Sequence, residues 1–461
     1  MLNQPLAKTW HRPGYVRGTP GEERRRNRTL RRLIWLYFWL LIFEGALRKW
    51  VVPSLSTPLL LVRDPVVILI YLEAMRRRRF PVNGPMFVLL VMVTGFGLLA
   101  MVQTVEGMGG GAVVAAYGLR TNFLHLPLIF ILPAVLTYED VLEFGRWILL
   151  LAIPMAPLMV LQFLSPSHSF INAATVEGGE QIGSALGRIR PAGTFSFITG
   201  PVHFFALATA FVIFGLMEKK IVYPRWLVWT ALFATLAVQP VSGSRSLVLS
   251  CAIPLVAAVI FGMLNPGRAH AFLYTALLVV GVAVVLPKLS FFREGILVFS
   301  TRWEEANTAT GGVQHGLVGR FFYGFLEPFA QLSDAGLIGK GIGLGTSVGS
   351  RLSTGTVQYL LAEGEWARVV LEAGPVLGFI FLGYRLWLAG ILAIRAYLAT
   401  KRQKLLPWLL VGGACVSLVT EQLGQSTGLG FMVFASGLCL AAIQGPSRAA
   451  ERRVYQSRRV R

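Results

Sequence analysis

GLIGKGIGLGTSVG at residues 336–349 and EGEWARVVLEAG at residues 363–374 lie in a single long polar interval, about Lys288 to Gly374, set between hydrophobic spans. The same interval carries Arg302-Trp303, Arg320 and Arg351. Nearly everything on either side of it has the composition of membrane helix, so polar chemistry belongs here and on whatever faces it. The interval is expected to form a lid and half of a site. A second, shorter polar interval, Ser165 to Gly200, is expected to supply the other half.

Working outward, a chain of 461 residues with 54% hydrophobic residues, 14% charged residues and a mean hydropathy of +0.62 is not an ordinary soluble domain. It reads as an all-α polytopic membrane protein. The formal net charge is +21, from 43 Lys+Arg against 22 Asp+Glu. In a soluble protein that excess would suggest nucleic acid, but basic residues also flank membrane spans on the cytoplasmic side, so no nucleic-acid partner is expected. The cysteines, Cys251, Cys415 and Cys439, all sit in apolar spans, which indicates neither a disulfide framework nor a metal site. Residues 1–32 form a basic N-terminal segment, too long and too charged for a cleavable signal peptide.

A helix needs roughly 20 apolar residues to cross the hydrocarbon core. On that count the chain has about twelve spans: 33–52, 59–75, 86–104, 112–136, 146–164, 201–217, 226–241, 247–264, 271–286, 375–396, 405–422 and 428–444. The fourth and tenth allow a break. This layout makes 33–444 a transmembrane domain with two long external loops, 165–200 and 288–374, and leaves 445–461 as a basic tail. The arginine-dense connections, such as Arg76 to Arg79, fall on one side with both termini and are expected in the cytoplasm. No internal repeat is visible, so an inverted-repeat transporter is not suggested.

Ionisable residues inside spans cost several kcal/mol unless paired or wet. Glu44, Arg48, Arg63 and Asp64 are expected to form an ion-pair cluster clamping the first two spans. Arg120, inside the fourth span without an evident partner, is expected to meet an anion or a water-filled cavity. Arg188 and Arg190, beside the Pro191 and Gly193 turn, and Arg245 in SGSRS at a helix start are placed to bind phosphate. Arg302 and Arg320 in the long loop join that set. His125 reads as a structural histidine, and His203, just inside a span, reads as structural with a proton carrier as the alternative. The run from Gly336 is not a nucleotide loop, because no GK[ST] ending follows.

RxRPxGTFSF before one span (188–197), GSRS opening another (243–246) and ExExxRxxxExG closing the long loop (363–374) resemble the O-antigen polymerase and O-antigen ligase family of bacterial membrane glycosyltransferases. The resemblance runs from about residue 30 to 445. It implies a GT-C type fold in the inner membrane and an undecaprenyl-pyrophosphate-linked glycan as substrate, used on the periplasmic side without metal or nucleotide. It also implies that arginines bind the pyrophosphate, that membrane lipid surrounds the chain and that a chain-length regulator is a partner. Ligases of the family carry a His-Asn pair nine residues ahead of a Glu-x-Gly, here Glu372-Ala373-Gly374, where this chain has Glu363-Gly364. Arginines in both long loops match the polymerases, with Glu363 or Glu365 as the expected base for the acceptor hydroxyl. Ligase and lipid-linked-sugar transporter are the alternatives.

Overall fold

The computed structural model describes residues 25–175, 183–218, 220–265, 295–301, 320–355 and 360–445, with isolated positions between them. Regular structure among these residues is helical, apart from one isolated bridge between Gly183 and Ile189. The helices are α1 (Arg28–Ala46), α2 (Arg63–Arg76), α3 (Gly84–Val105), α4 (Ala112–Leu119), α5 (Leu128–Val135), α6 (Tyr138–Leu164), α7 (Thr199–Met217), α8 (Arg225–Val241), α9 (Arg245–Leu264), α10 (Arg320–Ala330), α11 (Ser347–Thr354), α12 (Glu365–Thr400), α13 (Leu405–Thr420) and α14 (Ser426–Ile443). Helix stands at each expected span position within the described residues. The expected span at 271–286 lies outside them.

Seven described segments are long and apolar enough to cross a membrane: α3, Ala112–Val135 (α4 through α5), α6, α7, α9, α12 and α14. The chain is therefore a polytopic membrane protein by helix length and composition. α3 faces outward, with Phe87, Leu90, Val91, Leu98 and Met101 exposed, as a lipid-facing helix requires. α7 and α14 are the opposite case. Their most apolar windows are 83% and 89% buried, so they form the centre against which the other helices pack.

Of the two spans expected to permit a break, the fourth is broken, whereas the tenth, 375–396, is continuous and the break in its helix lies just ahead of it. Between α4 and α5 the chain makes a π-helical turn over Arg120–Leu124. Within α12, Gly374 takes φ +73° and interrupts the helix, and only glycine fits there because a Cβ would meet Leu337 O at 2.2 Å. The glycine run threads between these two breaks. Gly341 lies so close to Gly109 that a Cβ would sit 2.1 Å from its Cα, and a Cβ on Gly343 would sit 2.2 Å from Val114 O. Glycine is required at such approaches of backbone to backbone. Gln103 stitches the run in place: its Nε2 donates to Ile338 O and Glu372 O at 2.6 and 2.8 Å, and its Oε1 accepts from Ile342 N at 2.9 Å.

The alternating helix directions define two ends. At one, Asp140 closes a capping box with Thr137 at the start of α6 and also pairs with Arg31, while Lys404 Nζ donates to Ile443 O at 2.8 Å. This end gathers Arg76 to Arg79. The other end carries the loop 183–198, the turn 421–425 and the segment 320–364.

Candidate functional site at the loop end

The string from Arg188 to Phe197 is fixed onto α1. Gly45 has no room for a side chain, since a Cβ would lie 2.4 Å from Phe195 C and Ser196 N. Thr194 Oγ1 donates to Ile42 O at 2.8 Å, the buried Lys49 Nζ to Gly193 O at 2.6 Å, and Arg48 Nη1 to Ser196 Oγ at 2.9 Å. Gln162 of α6 accepts from Gly193 N at 2.8 Å. Every polar backbone group named here finds a partner, which is what holds a loop rigid in a buried position. The loop is therefore a fixed shelf across the end of the bundle.

Arg188 and Arg190 point to different places from this shelf. Arg188 Nη1 donates to Leu164 O at 3.2 Å and its guanidinium stands 5.4 Å from the Phe163 ring, so it caps the carbonyl end of α6. Arg190 lies by the SGSRS turn. Its Cγ is 3.6 Å from where a Cβ on Gly243 would be, and Gly243 holds φ +56°. Ser244 then caps α9, its Oγ accepting from Leu247 N at 3.4 Å, and Arg245 is the first residue of that helix. The half-buried Arg190 thus stands beside the turn that leads into the helix opened by the half-buried Arg245.

Arg120 needs correcting. It is not an unpartnered guanidinium awaiting an anion: Nε and Nη2 donate to Asp64 Oδ2 and Oδ1 at 2.7 and 2.6 Å, a two-pronged pair between α2 and the π turn. His125 Nε2 shares Asp64 Oδ1 at 3.0 Å, and Tyr37 OH meets His125 Nδ1 at 3.0 Å. Arg63 takes Glu44 at 2.8 Å, which is the expected clamp between the first two spans. Sequence could not pair Arg120 with Asp64 because the partner stands 56 residues away.

Glu365 also needs correcting as a base. Its carboxylate, 1% exposed, accepts from Arg368 Nε and Nη2 at 2.9 and 3.0 Å and from Arg385 Nη1 at 2.7 Å. Arg368 further pairs with Glu372 at 2.7 Å and donates to Asn122 Oδ1 at 3.0 Å. A carboxylate held by two arginines is a poor proton acceptor. Glu363 is different: it is exposed, and its backbone carbonyl accepts from Gln422 Nε2. Arg302 lies outside the described residues. Arg320 begins α10, but its side chain lies outside them.

Two further groups stand here, Glu327 and the partner of His203, neither of which the sequence singled out. On α10, Glu327 Oε2 lies 2.3 Å from where a Cβ on Gly364 would be, beside Glu363. Burial, then the Glu363 charge, push the Glu327 carboxyl above its usual value. The second group is a pair: His203 Nε2 lies 2.8 Å from Glu421 Oε2, with the ring stacked on Phe431 at 5.7 Å. His203 borders a small cavity of about 30 Å³ lined by Ala206, Pro254, Leu410, Gly413 and Ser417 among others. The sequence signal for this pair was weak, one histidine a turn inside a span and one glutamate at the next hairpin.

No family model matches the chain, and no curated protein matches it.

Proposed function

We propose that this chain is a membrane glycosyltransferase that joins lipid-linked oligosaccharide units, a polymerase of the O-antigen polymerase and ligase type. The observation that carries it is Arg190 standing beside the SGSRS turn from which Arg245 opens α9, at the end of the bundle away from the basic connections. A leaving pyrophosphate gains charge as the anomeric carbon becomes oxocarbenium-like. Fixed guanidinium groups and the backbone N–H groups that open α9 would stabilise that charge. The motif resemblance supplies the reaction type, and the rigid shelf from Arg188 to Phe197 supplies the preorganisation such a role needs. In this proposal the loop end is periplasmic, the termini are cytoplasmic, the spans number twelve and the donor is an undecaprenyl-pyrophosphate-linked glycan.

The test is to incubate purified protein in detergent with a labelled undecaprenyl-pyrophosphate oligosaccharide and resolve the products on a gel. A ladder of longer lipid-linked glycans is expected, lost in Arg190→Ala and in Arg245→Ala while both variants stay folded. Transfer only to an added acceptor would make the protein a ligase. A transporter has one observation in its favour, the buried chain Glu44, Arg63, Tyr37, His125, Asp64 and Arg120 through the bundle. Movement of the lipid-linked glycan across a vesicle bilayer, without a ladder, would favour it.

A further inference from the structure

If the chain transfers glycans as proposed above, the acceptor hydroxyl must lose its proton, and the buried Glu365 is already committed to two arginines. The geometry points to His203 as the proton acceptor and to Glu421 as the residue that positions it. Three separate parts of the chain bring the pair together. His203 lies one turn inside α7, and Glu421 is the first residue beyond α13. Arg385 of α12 fixes the backbone at Glu421, its Nη2 donating to Glu421 O at 2.7 Å.

The surroundings are those of a base rather than of a simple helix clamp. The two side chains are 17% and 11% exposed, so the pair is reachable without being solvated. On one side lies the cavity with its apolar wall of Ala206, Leu207, Pro254 and Leu410. On the other are groups able to hold a sugar hydroxyl: Thr199 Oγ1, 3.3 Å from Gln425 Oε1, and Gln422, bonded at 2.7 Å to Gln425. Gln422 also bonds the Glu363 carbonyl, which places the lid edge beside the pair.

In the tautomer whose Nε2–H donates to Glu421 Oε2, His203 Nδ1 is the ring nitrogen turned away from that oxygen and holding a lone pair. In the transfer, the acceptor hydroxyl gives its proton to Nδ1 while its oxygen bonds the anomeric carbon. The bond from that carbon to the pyrophosphate oxygen breaks, and its electron pair leaves with the pyrophosphate. Glu421 offsets the positive charge of the imidazolium. The proton then passes to water.

The ladder reaction tests this in wild type, His203→Gln, His203→Ala, Glu421→Gln, Glu421→Asp and Glu363→Gln, each checked for folding by thermal melting in detergent. His203→Gln is expected to slow extension by about 100-fold to 10,000-fold, the usual contribution of a general base. Added imidazole is expected to restore part of the activity of His203→Ala. Glu421→Gln should lower kcat with KM little changed, and Glu421→Asp should recover much of it. A ladder in wild type that His203→Gln leaves within about twofold, or that only Glu363→Gln abolishes, would overturn the assignment and spare the polymerase proposal. Failure of imidazole to rescue a folded His203→Ala would likewise reduce the pair to a structural one. No ladder in wild type would overturn the polymerase proposal itself, and with it this role.

Discussion

At the scale of single residues, two glutamates two positions apart have opposite fates. Glu363 is exposed, while Glu365 opens α12 with its carboxylate buried between Arg368 and Arg385. Part of the difference is local, since Arg368 stands one turn beyond Glu365. The rest arises from Arg385, twenty residues along the same helix, and so from tertiary packing. A buried charge stripped of its partner costs about 3–5 kcal/mol. Glu365→Gln should therefore destabilise the protein by about that amount, because Arg385 and Arg368 lose the anion they surround. Glu363→Gln, at an exposed position, should change stability by no more than about 0.5 kcal/mol. Thermal or denaturant unfolding in detergent decides. If Glu365→Gln kept its full stability and still lost activity, Glu365 would be the catalytic base the sequence suggests.

At the scale of elements, hydropathy located the helices and composition located one of their breaks. The span at 112–136 combines apolar length with Arg120, which a straight helix tolerates poorly, whereas the second break falls at Gly374, just ahead of the span 375–396. What composition did not disclose is why the breaks matter. Both are places where the glycine run of the long loop inserts, backbone against backbone, so the loop is built into the bundle as well as lying over it. α10 completes this part of the loop. Its Phe325 packs edge-on against Trp366 and its Phe329 stacks on Phe379, at 4.6 and 5.1 Å, and Glu327 then faces Glu363 over Gly364. The Glu327 carboxyl is raised above its usual value, first by burial and then by the Glu363 charge. The folded state thus holds that proton more tightly than the unfolded chain. Well below the ordinary Glu value of about 4.3 both states are protonated and nothing is lost. As pH rises through the raised value, the folded state must release the proton into a site that resists the charge, and stability falls. Glu327→Gln should therefore gain stability over wild type at pH 7 to 8 (about the physiological range), the gain vanishing near about pH 4. Hydrogen exchange of α10 in the two proteins across that range checks this, and an equal profile at all pH values would remove the Glu327–Glu363 repulsion.

At the scale of the whole molecule, two buried charge networks meet at the π turn between α4 and α5. One runs from Arg120 through Asp64 to His125 and Tyr37, and the other from Asn122 through Arg368 to Glu365, Glu372 and Arg385. Unsatisfied charges in hydrocarbon are costly, so these cross-links fix which helices neighbour one another as firmly as the apolar core around α7 and α14. That pairing was invisible in sequence, whereas the division of the molecule into a basic end and a loop end was legible. Among the described residues the run Arg76 to Arg79 and the connection at Lys401 to Lys404 fall at one end by the helix directions. This division makes a prediction independent of any enzyme chemistry. Val82, 66% exposed beside Arg76 to Arg79, and Ser353, exposed on α11, lie at opposite ends. Cys251 and Cys439 are buried and Cys415 partly so, which gives a low background for thiol labelling. In intact cells a membrane-impermeant maleimide should label Ser353→Cys at once. It should reach Val82→Cys only after the membrane is opened. Labelling of Val82→Cys alone would invert the orientation and place Arg190 and Arg245 in the cytoplasm, where a periplasmic polymerase has no substrate. Labelling of both from the same side would contradict the helix directions themselves.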